Sequence, residues 1–236
     1  MTELLYHTDS YLREFEAQVT EVVGEGVVLD KTAFYPRGGG QPGDTGHLEV
    51  DRERWQVRKV RQKKGRVIHY LDREPPPVGT LVVGALDWER RYTLMRTHTA
   101  MHILCGVVWR DYEASVTGGK MKPLHGRMDF EFERMQRELV DEIEEKINTE
   151  VTAARPINVR ILPREEAFQI PDLIRTKINL LPKHITQVRV IEIEGLDLQA
   201  DGGTHVANTQ EVGPLKIVDY KSKGRINKRL VVELEE

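Results

Sequence analysis

The chain has one cysteine, Cys105, in 236 residues. A lone thiol excludes an internal disulfide and any zinc site built from several thiolates. Long apolar runs are missing as well. No stretch of about eighteen apolar residues occurs, so nothing reads as a membrane span and no membrane partner is expected. Residues 1–10 are polar and acidic where a signal peptide needs an apolar core, which points to the cytoplasm. Internal repeats and low-complexity tracts are absent. Neither charge sign dominates: 35 Lys and Arg face 38 Asp and Glu, a net charge of -3. That balance argues against a non-specific nucleic-acid binder but leaves room for one particular RNA.

What is present is the composition of a soluble globular protein, 39% apolar and 31% charged. Basic residues cluster at 52–66 and again at 216–229, and composition alone reads each cluster as a solvated strand face. Short β-branched segments at 18–23, 26–29, 46–50, 55–64, 66–70 and 80–86, punctuated by Gly and Asp, predict a small barrel. Apolar residues at helical spacing predict a long helix over 90–109 and a second over 133–152. Strands are expected within 116–132 around a turn at Gly118-Gly119, then at 157–162, 188–193, 213–220 and 227–234, with a short helix at 164–168. The expected architecture is α+β. A small β-barrel domain, 1–87, precedes an α/β domain, 88–236, whose mainly antiparallel sheet packs against helices.

Three motifs carry chemistry. His98 and His102 stand at i and i+4 on the first long helix, one face and one metal ion apart. Thr99 occupies the position where a metalloprotease of the H-E-x-x-H type has its Glu, so that reading fails. About a hundred residues on, Asp201-Gly-Gly-Thr-His205 can bring an oxygen and a nitrogen to one point around a flexible turn. Together the motifs supply three imidazoles and a carboxylate, a donor set suited to zinc. Cys105, a helix turn beyond His102, reads as a core residue. The third motif, Gly38-Gly-Gly-Gln-Pro-Gly-Asp-Thr-Gly46, lacks both the Gly-Lys-Ser/Thr ending of a P-loop and the strand-to-helix context of a dinucleotide fingerprint. It reads either as a hairpin bend or as a loop whose bare amides approach a ligand.

Residues 32–46, TAFYPRGGGQPGDTG, resemble the glycine-rich motif that opens the editing region of alanyl-tRNA synthetases. His98–His102 resembles that family's first zinc pair, and GGTH at 202–205 its second. Arg127-Met-Asp-Phe130 and 213–218 are similar to family strands. With no aminoacylation domain in the sequence, the chain is similar to the medium-length AlaX group of free-standing editing proteins. The resemblance implies hydrolysis of serine, and possibly glycine, from the acceptor end of tRNA(Ala), with zinc as cofactor and translation fidelity as the role. It also implies Thr32, Gly39, Gly40, Gln41, Thr99, Thr117 and Thr204 near the substrate, with Thr32 facing the serine hydroxyl or else lying at a strand edge. Gln41, Asp44 and Thr204 are expected to support the ligands. Arg37, Lys221, Lys223, Arg225 and Arg229 are expected on RNA phosphates.

One departure stands out. Asp201 replaces the family's usual cysteine, either as an oxygen ligand or as a catalytic acceptor beside a three-histidine metal. Zinc would either acidify a water or anchor the amine. Competing readings are a zinc esterase or amidase for small molecules, a non-catalytic RNA-binding module stapled by zinc, and editing of Ser-tRNA(Thr).

Overall fold

In the computed structural model, which describes residues 2–171, 173–174 and 185–235, the chain opens with eight strands, the longest of which follow from period-two burial. They are β1 (Glu3–Leu4), β2 (Glu14–Val23), β3 (Gly26–Leu29), β4 (Lys31–Thr32), β5 (Gly46–Val50), β6 (Glu53–Lys63), β7 (Arg66–Leu71) and β8 (Leu81–Leu86). Along β2, Phe15, Ala17 and Val19 turn inward while Glu14, Glu16 and Gln18 face water, so the strand can wet only one side. Trp55, Val57 and Val60 do the same on β6, shifted by a bulge between Val57 and Lys59. Six of these strands close into an antiparallel barrel in the order β2-β3-β7-β6-β5-β8, which leaves no exposed sheet edge. Its interior is filled by Phe15, Leu29, Phe34, Leu48, Trp55 and Leu86 among others.

The barrel carries the glycine-rich segment. Asp44 and Arg91 form a buried ion pair; Asp44 also accepts the Tyr35 N–H at 2.6 Å, and Arg91 donates to the carbonyls of Ala33 and Ser10. Gly46 is required there, because a Cβ would collide with the Ala85 carbonyl and the Phe34 ring.

Beyond the barrel come helix α1 (Trp88–Tyr112), β9 (Val116–Lys122), β10 (His125–Glu131), α2 (Arg137–Thr152), β11 (Ile157–Pro163), α3 (Arg164–Ala167), β12 (Gln187–Ile193), β13 (Asp197–Ala200), β14 (Leu215–Ser222) and β15 (Asn227–Leu234). They build a four-stranded antiparallel sheet, β14-β15-β10-β9, and a three-stranded one, β11-β12-β13. The architecture is α+β with an N-terminal small barrel. By packing, the chain divides into two compact units, Met1–Thr93 and Leu94–Glu236, and the division falls inside α1. Among the described residues, no helix is long and apolar enough to cross a membrane.

Two expectations are corrected. The turn between β9 and β10 lies around Leu124, which takes φ +56°, and not at Gly118-Gly119, which sit within β9 opposite Asp129 and Met128. The second strand is also missing from the sequence reading of the β12–β13 hairpin: β13 is only four residues long, with a buried Asp197 that no alternation rule selects.

Candidate metal centre

Helix α1 supplies two ligands because His98 and His102 stand one turn apart on one face. The loop after β13 supplies the others. Asp201 begins it with an Asx turn, its carboxylate accepting the Gly203 N–H at 2.6 Å. Arg189 of β12, buried, holds the loop by donating to the carbonyls of Gly203 (2.7 Å) and Asp201 (3.1 Å). His205 then stacks on His98, ring centroids 4.3 Å apart, and meets His102 edge-on at 4.7 Å. One ligand atom from each of His98, His102, Asp201 and His205 lies within 4.8 Å of the others. Asp201 Oδ1 is 3.7 Å from His98 Nε2, and its Oδ2 is 3.2 Å from His205 Nε2.

Each imidazole has a second partner that fixes its ring. His102 Nδ1 pairs with Asp197 Oδ2 at 3.0 Å, and Asp197 also accepts from Gln199 at 2.7 Å. His205 Nδ1 lies 3.2 Å from the Thr99 hydroxyl, which also accepts the Val206 N–H. The His98 ring bonds to the backbone of Thr204. Metal-binding histidines are held in this way, with the far nitrogen engaged and the near one turned inward. Gly106 of α1 makes the Asp197 contact reachable: a Cβ there would meet Leu196 Cγ at 2.9 Å and Asp197 Cβ at 3.0 Å.

Electrostatics favours the same use. Burial pushes His98 down to about 4, against the pull of Asp201, and it also holds His205 well below its ordinary value. Both are therefore neutral donors near pH 7. Burial works against a charged His102 as well, but the hydrogen bond and charge of Asp197 outweigh it and raise the pKa. Burial opposes the Asp201 carboxylate, yet the neighbouring imidazoles, His98 first, keep its pKa well below the usual range. Three imidazoles and one carboxylate form a donor set that could hold a divalent zinc-like ion. The set is walled on the histidine side. The His205 side chain is 2% exposed, whereas Asp201 is 17% exposed and marks the open edge.

The other sequence-predicted residues are placed as follows. Thr99 and Thr204 are fully buried, the Thr99 hydroxyl against His205 and the Thr204 backbone against His98. Cys105 is buried outside the ligand set, with Gln199 Nε2 at 3.3 Å from its sulfur. Asp44 is committed to Arg91 and supports the glycine-rich segment. Thr32, expected at the serine hydroxyl, lies in the barrel with no exposure; its hydroxyl is 2.8 Å from His69 Nε2 and accepts the Phe34 N–H at 3.1 Å. Thr117 is exposed on β9 and donates to Asn227 at 3.1 Å. Gln41 is buried, its backbone paired with Gly38, and Gly39 and Gly40 form the exposed tip between them. Arg37 is exposed. Among the C-terminal cations, Arg229 grips Asp129 through two bonds of 2.6 and 2.7 Å and Lys221 pairs with Asp219 at 3.1 Å, while Lys223 and Arg225 are exposed. Sequence reasoning missed Asp197, Arg189 and His69. The available signal for Asp197 was a carboxylate inside a strand, where Asp is rare.

Comparison with known proteins places this geometry. A family model described as tRNA synthetases class II (A) matches residues 7–90, and one described as threonyl and alanyl tRNA synthetase second additional domain matches 188–231. An alanyl-tRNA editing protein AlaX-M of Saccharolobus solfataricus is 40% identical over 98% of this chain and 98% of its own length. The chain belongs to the AlaX-M family of alanyl-tRNA editing proteins. Another AlaX-M, from Methanosarcina barkeri, is 39% identical over 99% of both chains. The alanine–tRNA ligase of Pyrococcus furiosus is 41% identical over 92% of this chain, which corresponds to 24% of the ligase. AlaX-M membership thus spans both units, the barrel with its glycine-rich segment as well as the histidine site.

Proposed function

We propose that the protein is a trans-editing hydrolase that cleaves the ester of mischarged tRNA(Ala), chiefly Ser-tRNA(Ala) and also Gly-tRNA(Ala), at a zinc centre held by His98, His102, His205 and Asp201. The observation that carries the reading is the convergence of those four side chains, each histidine braced from behind, in a chain of the AlaX-M family. Zinc bound there supplies Lewis acidity, used either to acidify a water or to anchor the aminoacyl amine. The protein's own residues do the positioning. His98 and His205 offer neutral Nε2 lone pairs, Thr99 and the Thr204 backbone hold their far nitrogens, and Asp197 holds His102. Asp201, ionised at the open edge, stands where the ester enters and is the group able to accept a hydrogen bond from an attacking water. Bringing ester and water together in fixed orientation provides part of the rate.

Serine differs from alanine by one hydroxyl, so discrimination needs a polar partner that alanine would leave unpaired. Of the threonines expected near the substrate, Thr117 is the exposed one, and we assign it that contact. Thr32 supports the barrel instead. Thr117→Val is expected to narrow the seryl-to-alanyl ratio of deacylation rates by roughly ten- to a hundredfold, the worth of one such hydrogen bond. Thr32→Val is expected to lower the melting temperature and leave the ratio unchanged. The reverse pattern in rates would return Thr32 to the site.

The deciding experiment is deacylation of Ser-tRNA(Ala) and Ala-tRNA(Ala) by purified protein, with metal removed by chelator and then restored. Release of serine that stops with chelation and returns with zinc is the expected result. Serine release undiminished in a metal-free His98→Ala or His205→Ala variant would refute it.

A further inference from the structure

Between residues 52 and 66 the sequence places eight cations and one carboxylate, in a chain whose net charge is -3. The fold turns that stretch into one surface. Trp55, Val57 and Val60 face the barrel core, so Arg54, Arg58 and Arg61 face outward along β6. The β6–β7 hairpin closes through Lys64 and Gly65, with φ of +50° and +76°, a tight two-residue turn that sets Lys63 opposite Arg66 at the tip. Some of the charge is neutralised locally: Arg54 pairs with Glu49 at 2.7 Å and Arg66 with Glu21 at 2.5 Å. Arg58, Arg61, Lys63 and Lys64 have no carboxylate in ion-pair range among the described residues.

The glycine-rich segment lies against this same strand. The Arg37 N–H donates to the Val60 carbonyl at 3.4 Å, and Gly43 packs so closely that a Cβ would sit 3.1 Å from that oxygen. Gly38 and Gln41 exchange backbone hydrogen bonds of 3.2 and 2.8 Å, which leaves Gly39 and Gly40 as a bare, exposed tip. Nothing lies within 4 Å of the position a Gly39 Cβ would take. A strip of unpaired cations thus runs beside exposed backbone with no side chain to obstruct approach. By contrast, three of the six cations in the C-terminal basic stretch are answered from within. Arg229 is held by Asp129 and Lys221 by Asp219, and Lys228 is buried on the carbonyls of Gly224 and Arg225.

We infer that the outer face of β6 and its hairpin tip, with Arg58, Arg61, Lys63 and Lys64 beside the Gly39–Gly40 turn, is the surface that docks the sugar–phosphate backbone of the tRNA. The inference rests on the tRNA reading above and relocates the main phosphate contacts from the C-terminal strands to the barrel. An anionic membrane fits this face poorly, because the outward positions of β6 between the cations are Gln56 and Gln62, neither of them an apolar residue that could enter a lipid layer.

The test is binding of uncharged tRNA(Ala) to the full-length protein, measured as Kd across a series of salt concentrations. The variants are Arg58→Gln/Arg61→Gln/Lys63→Gln and, separately, Lys223→Gln/Arg225→Gln. Thermal melting of each variant checks that these surface substitutions, with Arg61 half-buried among them, leave the fold intact. Removing three phosphate contacts is expected to weaken binding at least ~10-fold near 0.1 M salt and to reduce the slope of log Kd against log salt by about 2–3. The C-terminal pair is expected to change both by less. An unchanged slope in the barrel variant would overturn the inference. So would a larger loss in the C-terminal variant, or tighter binding of the wild type to phosphatidylserine vesicles than to tRNA. Serine release by the unsubstituted protein reports the editing reading separately, so failure of one is distinguishable from failure of the other.

Discussion

Asp197 is the residue on which His102 depends. It is buried, it belongs to a short strand, and it meets the imidazole nitrogen that faces away from the other ligands. A carboxylate in that place fixes the tautomer and makes the inward nitrogen a better donor. Asp197→Asn keeps the shape and removes the charge. It is expected to lower zinc affinity by roughly 10- to 100-fold with little change in folded content, as read by titration against a competing chelator. Affinity equal to wild type would reduce Asp197 to a packing residue. Asp44 illustrates the opposite use of a buried carboxylate. Its partner Arg91 has no exposure, so Asp44→Ala strands a guanidinium in the barrel wall and is expected to cost about 3–5 kcal/mol in urea unfolding.

At the scale of elements, helix α1 and the β12–β13 hairpin make the candidate metal centre jointly. The helix gives its histidines by periodicity alone. The hairpin gives Arg189, Asp197 and the Asp201–His205 loop, and it can approach only because position 106 is glycine. Gly106→Val is expected to push Leu196 and Asp197 off the helix, so that zinc affinity falls together with stability, whereas Asp197→Asn lowers affinity almost alone. The contrast, read by metal titration beside thermal melting, separates element packing from the local bond. Helix α1, the barrel strands and the motif histidines were legible in the sequence because each follows a local period. The β9–β10 turn was not: Gly118-Gly119 carries the usual turn signal, but the pairing of β10 with β15 along its whole length sets the register and moves the turn to Leu124.

For the whole molecule, buried histidines set the response to acid. His69 in the barrel and His98 at the metal centre are both pushed by burial to about 4, and His205 is lowered as well. In the unfolded chain these groups take up protons near 6.5, so between 6.5 and 4 the unfolded state binds more protons and stability falls with pH. His102 runs the other way: its raised pKa adds stability that is fully present below 6.5 and is lost as pH rises through the folded value. Three lowered groups against one raised leave a net loss in acid. Metal-free protein is expected to lose a few kcal/mol between pH 6.5 and 4, about 3 of them from His69 at most. His69→Gln is expected to flatten that slope in urea titrations. A slope identical to wild type would show that His69 titrates in the folded barrel as it does in water.

The sequence by itself determined the helix that carries His98 and His102, the loop that carries Asp201 and His205, and the strands of the barrel. Each is written in residue type and short-range spacing, which one stretch of chain is enough to express. Only the tertiary structure decided that Asp197 braces His102, that the Thr32 hydroxyl is answered by His69, and which basic stretch keeps its charge unpaired. The first two depend on partners 95 and 37 positions away in the chain, and Arg229 is paired from 100 positions away, because burial and ion pairing are settled by what the fold brings alongside.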